Sequence, residues 1–353
     1  MNLIKYPILI SLIFCLLLNS CKSGDTSKGA DYTLGPGDYD FEILHDGLER
    51  RYILYVPDSY DQSKPYPIVI AIHGGGGNAD ASPAFFQLND KADQEGFIVA
   101  YPEGTGEYIS GKLLGTWNGG NCCGYAKINN IDDVGFIDAM IEKIEIDFNT
   151  DTNRIYATGM SNGAIMCYRL ACELSDKIAA IAPHSSIGHF TECNLTRSVP
   201  TLHIHGVEDP CASYDGCTEC ESCFVNFTNY FYTTCLSIPL DLEPSDVDVV
   251  SVPSFIDSWR IKNNCSDTKI TSWQNGSSFC ETYSDCGEGE VTLCTVDGGH
   301  TWSGRGSYSL NACSLDPDGC ACQAWKNAVG PLSNDLIAND VIWEFFKRHS
   351  LDE

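Results

Sequence analysis

Apolar residues are grouped along the chain in two ways, one typical of buried strands and the other of amphipathic helices. The segments YPIVIAIHGGGG (66–77) and GFIVAYPEG (96–104) begin as apolar runs rich in β-branched residues and end in loop residues. Such short runs predict buried parallel strands that lead into tight loops. In DDVGFIDAMIEKIEIDF (132–148) apolar residues recur at helical spacing behind two aspartates, which predicts a helix.

Strand and helix signals alternate over the remaining chain. YDFEILHDGLERRYILYVP predicts a hairpin around Asp46-Gly47, and RIYATG followed by NGAIMCYRLACEL predicts a strand and then a helix. Further strands are predicted in IAAIAPHSS, VPTLHIHG and EVTLCTVDGGH, and a closing amphipathic helix in NDLIANDVIWEFFKRH. This alternation predicts an α/β fold, with a mostly parallel central sheet and helices on both faces.

Two segments interrupt this alternation. Residues 211–252 are rich in cysteine, and residues 303–330 are rich in cysteine and glycine. Each follows the end of a predicted strand. We therefore expect two insertions that lie over one face of the sheet, within a single domain that extends over residues 39–353.

The N-terminal residues 1–21 have the pattern of an export signal. Lys5 precedes an apolar run at 8–18 that is too short to span a bilayer comfortably. The run ends in LNSC, which is similar to a bacterial lipobox and predicts Cys21 as the lipidated first residue of the mature chain. Asn19 departs from the strict lipobox pattern, so secretion without a lipid stays an alternative.

A flexible tether is predicted after this signal, because residues 22–38 are small, polar and glycine-rich. The whole chain carries 21 basic and 48 acidic residues, a net charge of −27. Such a surface repels phosphate backbones and disfavours nucleic acid as a partner.

The chain contains 19 cysteines, and setting aside Cys15 and Cys21 leaves an odd number. In an exported protein this predicts disulfides and one free or otherwise engaged thiol. For the C-x2-C-x2-C pattern within 211–223, disulfides are favoured over a metal cluster. For the adjacent cysteines of NCCG (121–124), bonds to other cysteines are favoured over a direct bond between the two in a strained ring.

The candidate nucleophile is Ser161, within the sequence GMSNG at 159–163. The preceding residues predict a strand and the following residues a helix, which is the context of a nucleophile elbow. The glycines leave space for a strained turn, and the helix directs N–H groups at the serine. The alternative is a turn serine between two glycines that arose by chance.

A serine nucleophile needs a base and an orienting carboxylate, and these follow predicted strands in the order Ser, Asp, His. Asp209 lies in HGVEDP and His300 in VDGGHTW, each in a loop after a strand. His203 and His205 lie in a strand and are expected to be structural. The alternatives are His184 for the base and Glu208, Asp297 and Asp257 for the acid.

The oxyanion that forms during acyl transfer needs N–H donors. One is the backbone N–H of Asn162, and the HGGGG loop at 73–77 supplies the second, for which we favour Gly75 with Gly76 as reserve. Trp117 and Trp302 are candidates for an aromatic wall against the substrate, and each is equally compatible with the core.

Several motifs occur in a fixed order: HGGGGNA, TWNGGNCCG…IDDVGFI, TGMSNGA, HGVEDP and GGHTWSG. From about Leu48 to the last helix, the chain resembles the feruloyl-esterase and polyhydroxybutyrate-depolymerase-like group of the α/β-hydrolase fold, related to carbohydrate esterase family 1. The resemblance implies Ser161 as nucleophile, Asp209 as acid and His300 as base, with an oxyanion hole from the HGGGG loop and Asn162. The mechanism that the resemblance implies requires no metal or organic cofactor.

Two departures from this group concern the surroundings of the site. The group usually has proline where Ser303 stands, and the segments 211–252 and 303–330 are longer and richer in cysteine than expected. Both segments would flank the active site and shape its specificity.

The function implied is an exported serine esterase that acts on feruloyl or acetyl esters of a polysaccharide, with the membrane involved only through an N-terminal lipid. A polyhydroxybutyrate depolymerase is the first alternative. A serine peptidase and a catalytically silent binding protein on a hydrolase scaffold are the others.

Overall fold

The computed structural model describes residues 34–352, apart from 110, 191, 219–222, 239–247, 288 and 310. The predicted signal, Cys21 and most of the predicted tether lie outside these residues. Within them, no helix has the length and apolar character needed to cross a bilayer.

Twelve strands and ten α-helices are described in these residues. The strands are β1 (Gly37–His45), β2 (Leu48–Val56), β3 (Tyr66–Ile72), β4 (Ile98–Pro102), β5 (Thr105–Ile109), β6 (Lys112–Thr116), β7 (Thr150–Met160), β8 (Ala180–His184), β9 (Thr201–Gly206), β10 (Lys269–Asn275), β11 (Ser278–Tyr283) and β12 (Val291–Val296). The helices are α1 (Ser82–Phe86), α2 (Asn89–Glu95), α3 (Gly124–Ile128), α4 (Asp133–Asp147), α5 (Asn162–Glu173), α6 (Cys223–Tyr230), α7 (Val252–Lys262), α8 (Asn311–Leu315), α9 (Cys320–Val329) and α10 (Ala338–Phe346). A π-helical turn, Phe231–Cys235, follows α6.

Ten strands form one sheet in the order β1-β2-β4-β3-β7-β8-β9-β12-β11-β10. The six central strands, from β4 to β12, are parallel, and an antiparallel pair closes each edge. Strands β5 and β6 pair separately. The chain has the α/β-hydrolase fold, which confirms the fold class predicted from the sequence.

Helices pack on both faces of the sheet because side chains alternate along each strand. On β3, Ile68 and Ile70 join a core with helices α4, α5 and α7, whereas Val69 and Ala71 join a second core with α1, α2 and α10. All residues of β3 are buried. A strand covered on both faces explains the continuous apolar run in the sequence.

The hairpin predicted at the N-terminal edge is present, with Asp46 and Gly47 at φ 48° and 77° between β1 and β2. Two consecutive positive φ values suit the tight turn that matches strand twist. Strand β1 begins at Gly37, inside the stretch predicted as tether. The hairpin β10–β11 was not predicted, since β10 is almost entirely exposed and has no apolar pattern.

The two insertions are joined to each other. The first carries α6 and the π-helical turn, and the second carries α8 and α9. A disulfide links Cys235 in the first to Cys320 in the second, and the rings of Phe227 and Trp325 meet edge to face at 5.9 Å. We call this unit the cap, defined as the described residues of 211–252 and 303–330.

Most described cysteines are paired. The pairs are Cys122–Cys123, Cys172–Cys193, Cys211–Cys223, Cys235–Cys320, Cys265–Cys286, Cys280–Cys294 and Cys313–Cys322. The expectation that the adjacent cysteines bond elsewhere is therefore wrong. Cys217 is also disulfide-bonded, and among described residues Cys167 is free and buried in the core. This extent of pairing indicates an exported protein.

Candidate active site

Ser161 lies in the turn between β7 and α5 with φ 58° and ψ −122°, a backbone conformation that residues other than glycine rarely adopt. Its backbone N–H donates to the carbonyl oxygen of His184 at 2.9 Å, which ties the turn to the adjacent strand β8. The side chain borders a cavity of about 520 Å³. This geometry matches the nucleophile elbow that the sequence predicts.

The two glycines around Ser161 are required by close backbone contact. A Cβ atom on Gly159 would lie 2.7 Å from the carbonyl oxygen of Ile72, and one on Gly163 would lie 2.1 Å from the same oxygen. Real Cβ atoms do not approach backbone oxygens so closely. The motif therefore packs β7 and α5 directly against the end of β3.

Asp209 and His300 meet above the ends of β9 and β12. His300 Nδ1 donates to Asp209 Oδ2 at 2.7 Å. Asp209 Oδ1 accepts from the backbone N–H groups of Cys211 and Ala212, both at 2.8 Å. Because Nδ1 carries the proton, His300 Nε2 is left as the acceptor atom.

The pKa of Asp209 is lowered although the side chain is buried. Burial acts to raise this pKa, but the charge interaction and hydrogen bond with His300 outweigh it, helped by His205 and the Ala212 N–H. The carboxylate therefore stays ionised at neutral pH and can stabilise an imidazolium at His300.

Ser161 and His300 border the same cavity. Among the described residues, Ser161 Oγ and His300 Nε2 share no direct hydrogen bond. Catalytic hydrogen bonds are often long without substrate and tighten in the complex, so the arrangement remains compatible with proton transfer.

The residues of the two candidate oxyanion donors, Gly75 and Asn162, lie close together. A Cβ atom on Gly75 would lie 3.8 Å from the Cβ of Asn162, and the N–H of Asn162 has no intrahelical partner because it opens α5. The reserve donor, Gly76, instead gives its N–H to the carbonyl oxygen of Gly115 at 2.8 Å. The geometry therefore favours Gly75 over Gly76.

The prediction of Trp117 as a substrate wall is wrong, because this side chain is completely buried. Its Nε1 donates to the carbonyl oxygen of His73 at 2.9 Å, so it supports the HGGGG loop from below. The Asn162 side chain binds both the N–H and the carbonyl of Trp117, at 2.7 and 3.0 Å. Trp302, by contrast, does border the cavity.

The alternative base, His184, is engaged on both ring nitrogens. Nε2 accepts from the N–H of Ser303 at 3.2 Å and contacts its Oγ at 3.0 Å, and Nδ1 contacts Ser185 Oγ at 2.9 Å. Burial, aided by the charges of His205 and His300, lowers the pKa of His184 to about 3. This neutral, fully bonded ring has no free atom for a substrate.

His203 and His205 form a buried chain of hydrogen bonds, which agrees with a structural role. Tyr168 OH contacts His203 Nδ1 at 2.9 Å, and His203 Nε2 contacts His205 Nδ1 at 3.0 Å. His205 Nε2 then contacts the carbonyl oxygen of Ala212 at 2.6 Å. This series of hydrogen bonds supports the turn that holds Asp209.

The alternative acids lie elsewhere. Asp297 accepts from Ser277 Oγ at 2.8 Å, Asp257 pairs with Arg260 at 2.7 Å, and Glu208 has an exposed side chain. None of these borders the cavity among the described residues.

Several residues around the cavity were not singled out from the sequence. The aromatic side chains are Phe85, Tyr308 and Trp325, and the basic one is Arg305. Cys223 also borders it, and both sulfurs of the Cys211–Cys223 disulfide lie within 4.8 Å of a His300 ring nitrogen. These residues come from loops and the cap, where no periodic pattern marks them, although Arg305 stands only five positions after His300.

Comparison with known proteins identifies the family of this chain. The sequence model of the family described as Esterase PHB depolymerase matches residues 50–224. The chain is 32% identical over 222 residues to probable feruloyl esterase C of Aspergillus oryzae, covering 61% of this chain and 73% of that protein. The chain belongs to the feruloyl esterase and PHB depolymerase-like esterase family.

Other relatives match over shorter shares of their length. Probable feruloyl esterase C of Aspergillus niger is 31% identical over 189 residues, 52% of this chain and 63% of that protein. The bifunctional acetylxylan esterase/xylanase XynS20E of Neocallimastix patriciarum is 28% identical over 190 residues, 53% of this chain and 25% of that protein. The chain thus spans less than two thirds of the Aspergillus niger protein and a quarter of the Neocallimastix protein.

Among solved structures, the chain is similar to acetyl xylan esterase from Aspergillus awamori. The TM-score is 0.49 with 16% identity, over 75% of this chain and 94% of that one.

Proposed function

We propose that this chain is an exported serine esterase that hydrolyses carboxylic esters. The observation that carries the proposal is the strained Ser161, which opens onto the same cavity as an imidazole held by a buried, ionised Asp209. Gly75 borders the same cavity as Ser161, Asn162 follows that serine in the chain, and the N–H groups of both have no acceptor in the described part of the chain. Nucleophile, base, orienting acid and oxyanion donors are the parts that acyl transfer needs.

In the proposed reaction, Ser161 Oγ attacks the ester carbonyl carbon while its proton moves to His300 Nε2. The N–H groups of Gly75 and Asn162 stabilise the negative charge on the carbonyl oxygen. The carbon–oxygen bond to the alcohol then breaks, and His300 protonates the leaving alcohol. Water, deprotonated by His300, attacks the acyl-enzyme, and the acid leaves as Ser161 regains its proton.

For the substrate we favour feruloyl or acetyl esters on a polysaccharide. Relatives named feruloyl esterase and acetylxylan esterase support this class. The aromatic side chains around the cavity offer flat apolar contact to a hydroxycinnamoyl group. A polyhydroxyalkanoate depolymerase is the second candidate, because the matching family model is described as a PHB depolymerase.

We propose that the protein is a lipoprotein anchored through Cys21 at the bacterial surface or in the periplasm, a location that suits a polymer-degrading esterase. The LNSC sequence and the many disulfides support this part of the proposal. Mass spectrometry of the mature N-terminus tests it, and an unmodified cleaved chain would favour plain secretion.

The proposal is tested by hydrolysis of methyl ferulate, acetylated xylan, 4-nitrophenyl acetate and a polyhydroxybutyrate suspension. We expect Ser161→Ala to lose at least about 10⁴-fold in kcat, and His300→Ala to lose a comparable amount, since the residues act as a unit. Ser258→Ala on the exposed face of α7 is the matched control and should keep full activity. Equal turnover by wild type and Ser161→Ala would exclude the serine mechanism.

A further inference from the structure

The cavity wall differs in charge from the rest of the molecule. The chain has 48 acidic residues against 21 basic ones, yet no described residue bordering the cavity is an aspartate or a glutamate. Arg305 borders it instead. The described residues of an acidic protein thus present a cation, and no carboxylate, to whatever enters its candidate active site.

Hydrogen bonds to the backbone fix the guanidinium of Arg305. Nε donates to the carbonyl oxygen of Ser307 at 3.2 Å, and Nη1 donates to those of Ala84, at 2.9 Å, and Phe85. The guanidinium carbon lies 5.3 Å from the centre of the Phe85 ring. These contacts use Nε and Nη1 and leave both N–H bonds of Nη2 without a partner among the described residues.

Most other buried or half-buried arginines in the described part of the chain lie against carboxylates, although Arg197 donates to backbone carbonyl oxygens. Arg50 pairs with Asp133 at 2.7 Å, and Arg51 pairs with Asp40 and Asp80 at 2.7 Å each. Arg305 has no such ion pair within the described part of the chain. A partly buried guanidinium remains charged, and an incoming anion would supply the missing partner through a charge-assisted hydrogen bond.

We propose that Arg305 binds a carboxylate carried by the substrate, so that the site prefers esters with a carboxylate next to an apolar or aromatic part. The aromatic part would contact the rings of Trp302, Tyr308 and Trp325, which border the same cavity. This inference rests on the proposed esterase function and names the substrate class more narrowly. Arg305 would act on binding and specificity, not on bond cleavage.

The carboxylate has two possible sources, the acyl part and the alcohol part of the ester. Isosteric pairs that replace a carboxylate by a neutral amide separate them. For the acyl part the pair is methyl 4-carboxycinnamate and methyl 4-carbamoylcinnamate. For the alcohol part it is 4-acetoxybenzoate and 4-acetoxybenzamide.

Binding is measured by calorimetry in Ser161→Ala, where the ester stays intact, and in Ser161→Ala/Arg305→Gln. We expect the carboxylate member of at least one pair to bind more tightly than its amide. In the double variant this preference should fall about 10- to 100-fold, the usual size of a hydrogen bond to a charged group. Lys64→Gln removes the same unit of charge at an exposed position outside the cavity and should leave the preference unchanged.

A purely structural role for Arg305, as a tie between α1 and the segment after Trp302, predicts a different result. Both members of each pair would then weaken by the same factor. The inference would be overturned if Arg305→Gln weakened the binding of both members of each pair equally. It would also be overturned if, in Ser161→Ala, the carboxylate and the amide bound equally well in both pairs. Hydrolysis by wild type of the esters that carry the neutral amide tests the esterase function separately. If wild type bound the carboxylates selectively but hydrolysed none of the esters, only the proposed esterase function would be overturned.

Discussion

The strand ends that hold Ser161, Asp209 and His300 differ from the cap in how they are held in place. The strand ends are positioned by parallel neighbours in a buried sheet, where β8, β9 and β12 have no exposed residue. The cap has little core of its own, and α6 buries none of its residues. It is held by Cys211–Cys223, Cys235–Cys320 and Cys313–Cys322.

This difference separates the two tasks of the candidate site. Proton transfer and oxyanion stabilisation need atoms fixed to fractions of an ångström, which a packed sheet supplies. The cavity wall needs a shape and charge that suit one substrate class, and cross-linked loops supply this without a large core. We therefore expect changes in the sheet to abolish function and changes in the cap to alter specificity or local stability.

The sheet side of the comparison is most vulnerable at Gly163. In Gly163→Ala the new methyl group would lie 2.1 Å from the carbonyl oxygen of Ile72, so β3 and α5 must separate. Alanine favours a helix over glycine, so any destabilisation must be steric. We expect a loss of about 3 kcal/mol in the free energy of unfolding, the upper range of overpacking, with kcat reduced by at least tenfold. Urea unfolding and ester turnover check this.

The matched control lies in the cap. A Cβ atom on Gly306 meets nothing within 4 Å, so Gly306→Ala should change the free energy of unfolding by less than about 0.5 kcal/mol. Similar losses in both variants would mean that the glycines around Ser161 are not constrained by close packing.

The cap side of the comparison is tested by removing the disulfide that joins its two segments. Cys235→Ser/Cys320→Ser opens a link between residues 85 positions apart, and we expect it to cost about 2–4 kcal/mol of cap stability. Hydrogen exchange should accelerate in α6 and α9, while β3 and β7 keep their protection.

Cys172→Ser/Cys193→Ser serves as the comparison, because this disulfide joins the end of α5 to the loop after β8. We expect it to lower protection in the sheet core. If the cap variant instead accelerated exchange equally in β3 and α6, the cap and the sheet would form one cooperative unit, and the distinction between them would fail.

The same comparison explains what the sequence could predict. The buried strands, α4, α5 and the turn at Ser161 were readable because apolar periodicity and glycine placement act over a few residues. The order of strand ends was enough to expect Asp209 near His300, which are hydrogen-bonded in the structure. The assignment of catalytic roles to these residues stays a prediction.

What could not be predicted depends on contacts between distant residues. Trp117 is a residue type that often lines binding sites, and only the fold shows that it is buried against the HGGGG loop. The direct bond between Cys122 and Cys123 also has no signature in spacing. Arg305 lies in a cap segment without periodicity, and the role proposed for it depends on the absence of carboxylates from the described cavity wall.

The smallest effect is expected at Ser303, where the sheet and the cap meet and where the family resemblance implies proline. Its Oγ lies 3.0 Å and its N–H 3.2 Å from His184 Nε2. Because an N–H can only donate, Nε2 accepts both bonds and Nδ1 carries the ring proton. Ser303→Ala keeps the backbone donor and should lower the free energy of unfolding by about 0.5–1.5 kcal/mol, the net value of one hydrogen bond.

Ser303→Pro removes both donors and leaves a buried acceptor unpaired, which should cost about 1–3 kcal/mol. Urea unfolding of both variants, beside Ser307→Ala as an exposed control, measures the difference. If proline costs no more than alanine, then His184 has found another donor, and the imidazole is not fixed by the cap. If proline costs more, Ser303 holds the His184 ring through donors that a proline cannot supply, and the imidazole is held jointly by sheet and cap.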